Sequence, residues 1–281
     1  MSALADREAL LDTLVRLARE ASRIVLEVYA TPFLVEEKAP RDLVTVADKR
    51  ANALLVEGLS EAYPGVPIVA EESLPSAFDG FHTAEACFFV DPLDGTAEFV
   101  DRNGEFVVML GLAEGGRPTA GVVMAPVTGL VYLASVGHRA EVWLADGTRE
   151  PLRLSQRQGQ RGARFVASHR RRTPALERYL QSVPEAVVTP LGSAGLKGIA
   201  VATGAADAFV HLGVAGKLWD SCATEAIVTA AGGVVTDARG RPLVYDQPDL
   251  VLASGVVMAN AGLHRDIIEA LRADAGSVPG P

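Results

Sequence analysis

Apolar residues recur at every third or fourth position over residues 5–29. Leu10, Leu14, Leu17, Ala21, Ile24, Val25 and Val28 share one face, which predicts an amphipathic helix. The spacing returns at Ala51, Leu54, Leu55 and Leu59 and predicts a second helix over 48–62, stopped by Pro64-Gly65. Pro32 and Pro40 bracket a connector holding a short extended piece. The period then shortens. Segments 67–70, 87–91, 106–113, 119–124, 130–135 and 140–144 read as strands, with hairpin punctuation at Gly115-Gly116, 126–129 and Asp146-Gly147. Past about residue 150, strands (164–167, 186–189, 207–210) alternate with helices (173–181, 194–203, 219–231), and a last helix runs over 261–272. That alternation predicts α/β architecture with a partly parallel sheet. A boundary is expected near residue 150, between an α+β half, 1–150, and an α/β half, 151–281. The AGSVPGP tail is expected to fray.

Composition narrows the function classes. With 49% hydrophobic and 22% charged residues over 281 positions, the chain can build a large core, so dominant disorder is excluded. Its 26 Lys and Arg against 35 Asp and Glu leave a net charge of −9, a poor match to nucleic acid. No apolar run approaches the ~20 residues that cross a bilayer, so no membrane partner is expected. The start, MSALADREAL, lacks the apolar stretch of a signal peptide. Cys87 and Cys222 lie far apart with no CxxC pair, which argues against a disulfide framework or zinc site and for a reducing cytoplasm.

The densest chemistry lies in Asp91-Pro92-Leu93-Asp94-Gly95-Thr96, at the end of an apolar strand. Pro92 restricts Asp91 to extended backbone, and Gly95 permits a tight turn. Two carboxylates and the Leu93 carbonyl can then converge, an oxygen set suited to a hard divalent cation such as Mg²⁺. The same hexamer also suits an Asx turn with a helix cap. Asp48 and Asp220 each stand at the start of an apolar helix, where a capping role is the ordinary alternative, and Glu71-Glu72 follow a short strand. The recurrence of acids at element ends favours the metal reading over each turn or cap taken singly.

The segments DLVTVAD, VAEES, DPLDGT and KLWDSCATEAIVTAAGG, in this order, resemble the signature set of the inositol monophosphatase superfamily. The resemblance extends from the first helix to the last. It implies a layered αβαβα sandwich of the sugar-phosphatase type and a Mg²⁺-dependent, Li⁺-sensitive phosphomonoesterase using two or three Mg²⁺ ions. The DPLDGTAEFVDRNGEF run, the Ser168-His169 pair and Gly192–Lys197 look most like the bacterial CysQ-type branch, the 3'(2'),5'-bisphosphate nucleotidases. Carried over, Glu71, Asp91, Asp94, Asp220 and the Leu93 carbonyl would hold metal. Asp48 and Thr96 would activate the attacking water, with Glu72 as a supporting acid. Gly95, Thr96, Ser168, His169, Ser193 and Lys197 would face the substrate, a nucleotide bisphosphate or a sugar or inositol phosphate. The fold would place Asp220 within one coordination shell of Asp91 and Asp94.

There are departures from the family pattern. DSCATEA replaces two small residues and a glycine, bringing Cys222 and Thr224 to the expected pocket floor. GSAGLK has one residue more than the SxxK form, so Lys197 is either a phosphate ligand or a buried amine capping a helix end. Arg170-Arg171-Arg172 reads either as a solvated helix start or as a cradle for a second phosphate. His82, His138, His211 and His264 show no metal-like spacing. Rival readings are an inositol-1-phosphate phosphatase, a fructose-1,6-bisphosphatase, or a binding protein that has lost turnover. A monomer or homodimer is expected.

Overall fold

In a computed structural model, which describes residues 4–39, 42–170 and 172–276, the first helix, α1 (Arg7–Tyr29), begins where the Asp6 side chain accepts the Ala9 N–H. Its face of Leu10, Leu14, Leu17, Ala21, Val25 and Val28 is buried, as the spacing predicts. The expectations placed on Pro40, Arg171 and residues 277–281 fall outside the described residues. A hairpin of β1 (Val35–Ala39) and β2 (Asp42–Thr45) leads into α2 (Val46–Ala62). Thr45, not Asp48, is the N-cap. Its hydroxyl accepts the Ala47 N–H, while Asp48 sits one turn in and accepts the Thr45 N–H, closing a capping box.

Seven strands form the first sheet in sequence order. They are β3 (Ile68–Ala70), β4 (Ala86–Asp94), β5 (Val107–Glu114), β6 (Arg117–Ala125), β7 (Leu130–Ser135), β8 (Arg139–Trp143) and β9 (Arg149–Pro151). Only β3 and β4 run parallel; the rest is an antiparallel meander, with α3 (Thr96–Val100) between β4 and β5. The second sheet takes β10 (Arg164–Ala167), β11 (Val187–Pro190), β12 (Ala208–His211), β13 (Gly233–Thr236) and β14 (Val256–Asn260) in the order β11-β10-β12-β14-β13. β10 is parallel to both β11 and β12. Helices α4 (Pro174–Ser182), α5 (Ala194–Ala202), α6 (Cys222–Ala230) and α7 (Ala261–Gly276) complete the chain.

The layering follows from strand pleating, which sends alternate side chains to opposite faces. Phe88, Val90, Val108, Leu110 and Leu112 pack with α1 and α2. Their neighbours Cys87, Phe89, Val107 and Met109 pack on the other face, with Ile199 of α5, Ile227 of α6 and Phe209 and Met258 of the second sheet. Phe165, Ala208, Val210 and Val257 close the far face against α4 and α7. This is the αβαβα sandwich. The helix expected over 219–231 is divided: a 3₁₀ turn, Leu218–Asp220, precedes α6, and Ser221 between them stands at φ −123°.

Candidate active site

The end of β4 is shaped by its own sequence. Pro92 has no N–H to give the ladder, and the pairing with β5 shifts register between Asp91 and Asp94. The Leu93 N–H turns back onto Asp91 Oδ1 at 3.0 Å. Gly95 follows at φ 98°, and a Cβ there would stand 2.8 Å from the Glu105 carbonyl oxygen, so the turn requires glycine. Thr96 then opens α3, with its hydroxyl 2.9 Å from Asp48 Oδ1 and 3.2 Å from the Leu93 carbonyl. Asp48 Oδ2 accepts from the Thr45 N–H at 2.8 Å and the Thr45 hydroxyl at 2.6 Å. The capping box thus presents Asp48 to Thr96.

Asp220 arrives from the second half of the chain. Its Oδ2 accepts the Lys217 N–H at 2.6 Å, and Gly216, at φ 109°, leaves room for it where a Cβ would come within 2.1 Å. Asp91, Asp94 and Asp220 each offer an oxygen within 4.8 Å of the others, so Asp220 stands where the fold expectation requires it. Glu71 and Glu72 follow β3, and Lys38 of the β1–β2 hairpin reaches both, at 3.6 and 2.5 Å.

The electrostatics of this cluster are those of crowded, dehydrated carboxylates. Burial, then the charges of Glu71, Asp94 and Asp220, hold the Asp91 carboxyl well above its usual range. Burial and the Asp220 charge push Glu71 up to about 8, against the opposing pull of Lys38. Burial also raises Asp48, opposed by the bonds it accepts from Thr45 and Thr96. Oxygen donors crowded at this cost fit a hard divalent cation, whose charge would reverse the field that raises them.

The substrate-side expectations gather around the β11–α5 loop. Ser193 stands at φ 53°, donates its hydroxyl to Asp94 Oδ2 and accepts the Leu196 N–H at 3.0 Å. The Gly195 N–H reaches the same Asp94 oxygen at 2.6 Å. Lys197 is buried, and its ammonium donates to the carbonyls of Leu191, Gly192 and Ser193. Its partners are those of the buried-amine alternative; burial lowers its pKa, while the carboxylates around it, Asp94 first, pull the other way. Ser168 and His169 lie just past β10, and His169 Nε2 meets Glu105 Oε2 at 2.8 Å. Arg170 is held by Asp101 and Glu98, and Arg172 bonds the Ser168 carbonyl at 3.1 Å and faces Glu177. Cys222 and Thr224 are fully buried against Gly111 and Gly198, as core contacts rather than pocket floor. Sequence reasoning gave no role to Lys38 or Glu105. The only signal for Glu105 was its place inside the RNGEF run.

A family model described as the inositol monophosphatase family matches residues 6–275. The chain belongs to this family. It is therefore a phosphatase, and the buried carboxylate cluster suits the family's dependence on metal. The family relatives include the 3'(2'),5'-bisphosphate nucleotidase CysQ of Escherichia coli K12, 35% identical over 88% of this chain and 98% of the relative. Human inositol monophosphatase 1 is 31% identical over 89% of this chain and 91% of its own. Among solved structures, CysQ from Bacteroides thetaiotaomicron superposes with a TM-score of 0.75 at 27% identity, covering 90% of this chain and 97% of that one. The inositol monophosphatase of Thermotoga maritima, at 23% identity, shares the fold with a TM-score of 0.78 over 96% of this chain and 99% of its own.

Proposed function

We propose that this phosphatase is a Mg²⁺-dependent 3'(2'),5'-bisphosphate nucleotidase, converting 3'-phosphoadenosine 5'-phosphate to AMP and phosphate. The observation that carries the chemistry is the meeting of Asp91, Asp94 and Asp220 beside the Thr96–Asp48 hydrogen bond. The CysQ relatives, at 35% identity across nearly their whole length, support the substrate. In this reading Glu71, Asp91, Asp94, Asp220 and the Leu93 carbonyl hold the ions. Bound there, Mg²⁺ lets a phosphate dianion approach an acidic site and acidifies water.

The chain's own groups do the rest. Thr96 donates its hydroxyl hydrogen bond to Asp48, which leaves an oxygen lone pair of Thr96 to accept from the attacking water and aim it at phosphorus. The water oxygen bonds phosphorus as the P–O3' bond breaks, and the proton that the water gives up ends on the ribose O3'. Glu72, held by Lys38, supports Glu71. Gly95, Thr96, Ser168, His169 and Ser193 face the substrate, and Lys197 sustains the loop that carries Ser193. The halves 1–150 and 151–281 act as two walls, Asp220 being the ligand from the second. The compartment that fits is the cytoplasm, where the unpaired, buried Cys87 and Cys222 remain thiols.

The test is kcat/KM with Mg²⁺ for 3'-phosphoadenosine 5'-phosphate, inositol 1-phosphate and fructose 1,6-bisphosphate. At least a ten-fold preference for the nucleotide is expected. A preference for inositol 1-phosphate would overturn the substrate and leave the phosphatase chemistry in place.

A further inference from the structure

Glu105 stands outside every role given above. It belongs to the segment between α3 and β5, yet its Oε2 meets two loops of the second half: His169 Nε2 at 2.8 Å and the Gly192 N–H at 2.6 Å. Those loops follow β10 and β11, parallel neighbours in register up to Ala167 and Pro190. The carboxyl ends of parallel strands are where open α/β sheets receive ligands.

The approach depends on local features of the chain. A Cβ on Gly192 would lie 2.8 Å from Glu105 Oε2 and 2.3 Å from Glu98 Cγ, so only glycine admits the carboxylate to this backbone N–H. The next residue, Ser193, holds φ 53° and ψ 133°, a conformation that costs a non-glycine residue energy and persists where its surroundings fix it. The Ser193 hydroxyl then ends on Asp94. A single carboxylate oxygen therefore links the His169 imidazole, through one backbone turn, to a carboxylate of the metal cluster. An exposed ion pair alone would contribute little. A shared acceptor for a ring nitrogen and a backbone N–H instead fixes the distance between two loops.

We propose that Glu105 is a positioning residue for substrate selection. It sets His169 and the Ser193 turn at one spacing from Asp94, so that the nucleoside and its remote phosphate are held while the scissile phosphate meets the metal cluster. This rests on the nucleotidase reading above.

The experiment compares wild type, E105A, E105Q, H169A and the E105A/H169A double variant. The substrates are 3'-phosphoadenosine 5'-phosphate and p-nitrophenyl phosphate, which lacks the remote part. E105A is expected to raise KM for the nucleotide roughly ten-fold or more, with kcat within about three-fold and p-nitrophenyl phosphate KM within about two-fold. E105Q keeps an acceptor for the Gly192 N–H and should recover most of the loss. Adding H169A to E105A should cost less than about three-fold more, because residues sharing one contact are not additive. AMP binding by calorimetry should weaken about ten-fold in E105A while inorganic phosphate binding stays unchanged. Equal losses on both substrates, an unchanged nucleotide KM, or additive single effects would overturn the proposal. Should E105A fail to fold, E105Q against H169A on AMP binding decides it, since H169A must then weaken AMP more than E105Q does. A wild type that neither prefers the bisphosphate nor binds AMP would sink the nucleotide reading instead. The positioning role is then decided by E105A and H169A additivity on the preferred ester, additive effects overturning it.

Discussion

A single hydrogen decides what Thr96 does. Its hydroxyl lies 2.9 Å from Asp48 Oδ1 and 3.2 Å from the Leu93 carbonyl, and a bond to a carboxylate is the stronger of the two. With its hydrogen bond donated to Asp48, Thr96 would present only an acceptor to the attacking water of the proposed reaction. Thr96→Ala should therefore lower kcat by about a hundred-fold or more while KM stays within about three-fold. Thr96→Ser, which keeps the hydroxyl, should recover most of the rate in the same steady-state assay. A large rise in KM with little change in kcat would make Thr96 a binding group instead. At this scale the DPLDGT turn was legible, because proline and glycine constrain the backbone locally. The capping alternative for Asp48 falls to Thr45, because TVAD fits either register until the Thr45 hydroxyl is seen to accept the Ala47 N–H. Glu105 was silent because its partners lie 64 and 87 residues away. The basic run at Arg170 reads in sequence as a solvated helix start or a phosphate cradle, because the carboxylates Asp101 and Glu98 that hold Arg170 lie far away along the chain.

Helix α6 determines where Asp220 stands, and two glycines of the first sheet determine where α6 lies. A Cβ on Gly111 would come 2.6 Å from Cys222 Sγ and 2.7 Å from the Ala223 N, and one on Gly121 would come 2.4 Å from the Ala223 carbonyl. The helix backbone rests directly on the strands. Gly121→Ala cannot be absorbed by a side-chain rotation, because the nearest atoms are backbone, so α6 must move. Overpacking of this kind costs about 1–3 kcal/mol, or roughly 2–5 °C in Tm for a chain of this size. Because α6 starts two residues after Asp220, the Mg²⁺ concentration giving half-maximal activity should also rise. A lower Tm with unchanged Mg²⁺ dependence would show that α6 does not position the metal ligand. Periodicity revealed α1, α2 and the meander because each repeats one pattern over many residues. It missed β2, β13 and β14, whose short apolar runs carry too few residues to separate strand from helix. It also merged the 3₁₀ turn with α6, since both are apolar and the break at Ser221 comes from tertiary placement.

For the molecule as a whole, the acidic cluster makes folding, metal and pH one problem. The fold brings Asp91, Asp94 and Asp220 together from segments more than a hundred residues apart, in a chain already carrying a net charge of −9. Glu71, near 4.5 when unfolded, is pushed to about 8 when folded, and Asp91 is raised as well. Between those limits the folded, metal-free chain binds more protons than the unfolded one, so stability falls as pH rises. Metal-free protein in a chelator should accordingly show its highest Tm near pH 5 and lose stability steadily towards pH 8, the value to which Glu71 is pushed. In the proposed reading Mg²⁺ would bind the folded state alone and replace those protons. At a hundred times its Kd it would add about 2.7 kcal/mol, which is roughly 5 °C at pH 8. The gain should shrink at pH 5, where each ion must displace protons. Asp91→Asn removes one crowded charge, so its metal-free Tm should match or exceed that of wild type at pH 8, while its response to Mg²⁺ and its turnover disappear. Thermal melts across pH 5–8, with and without Mg²⁺, check all of this in one series. A metal-free Tm that climbs towards pH 8, or a wild-type Tm indifferent to Mg²⁺ there, would mean that these carboxylates are not the metal centre.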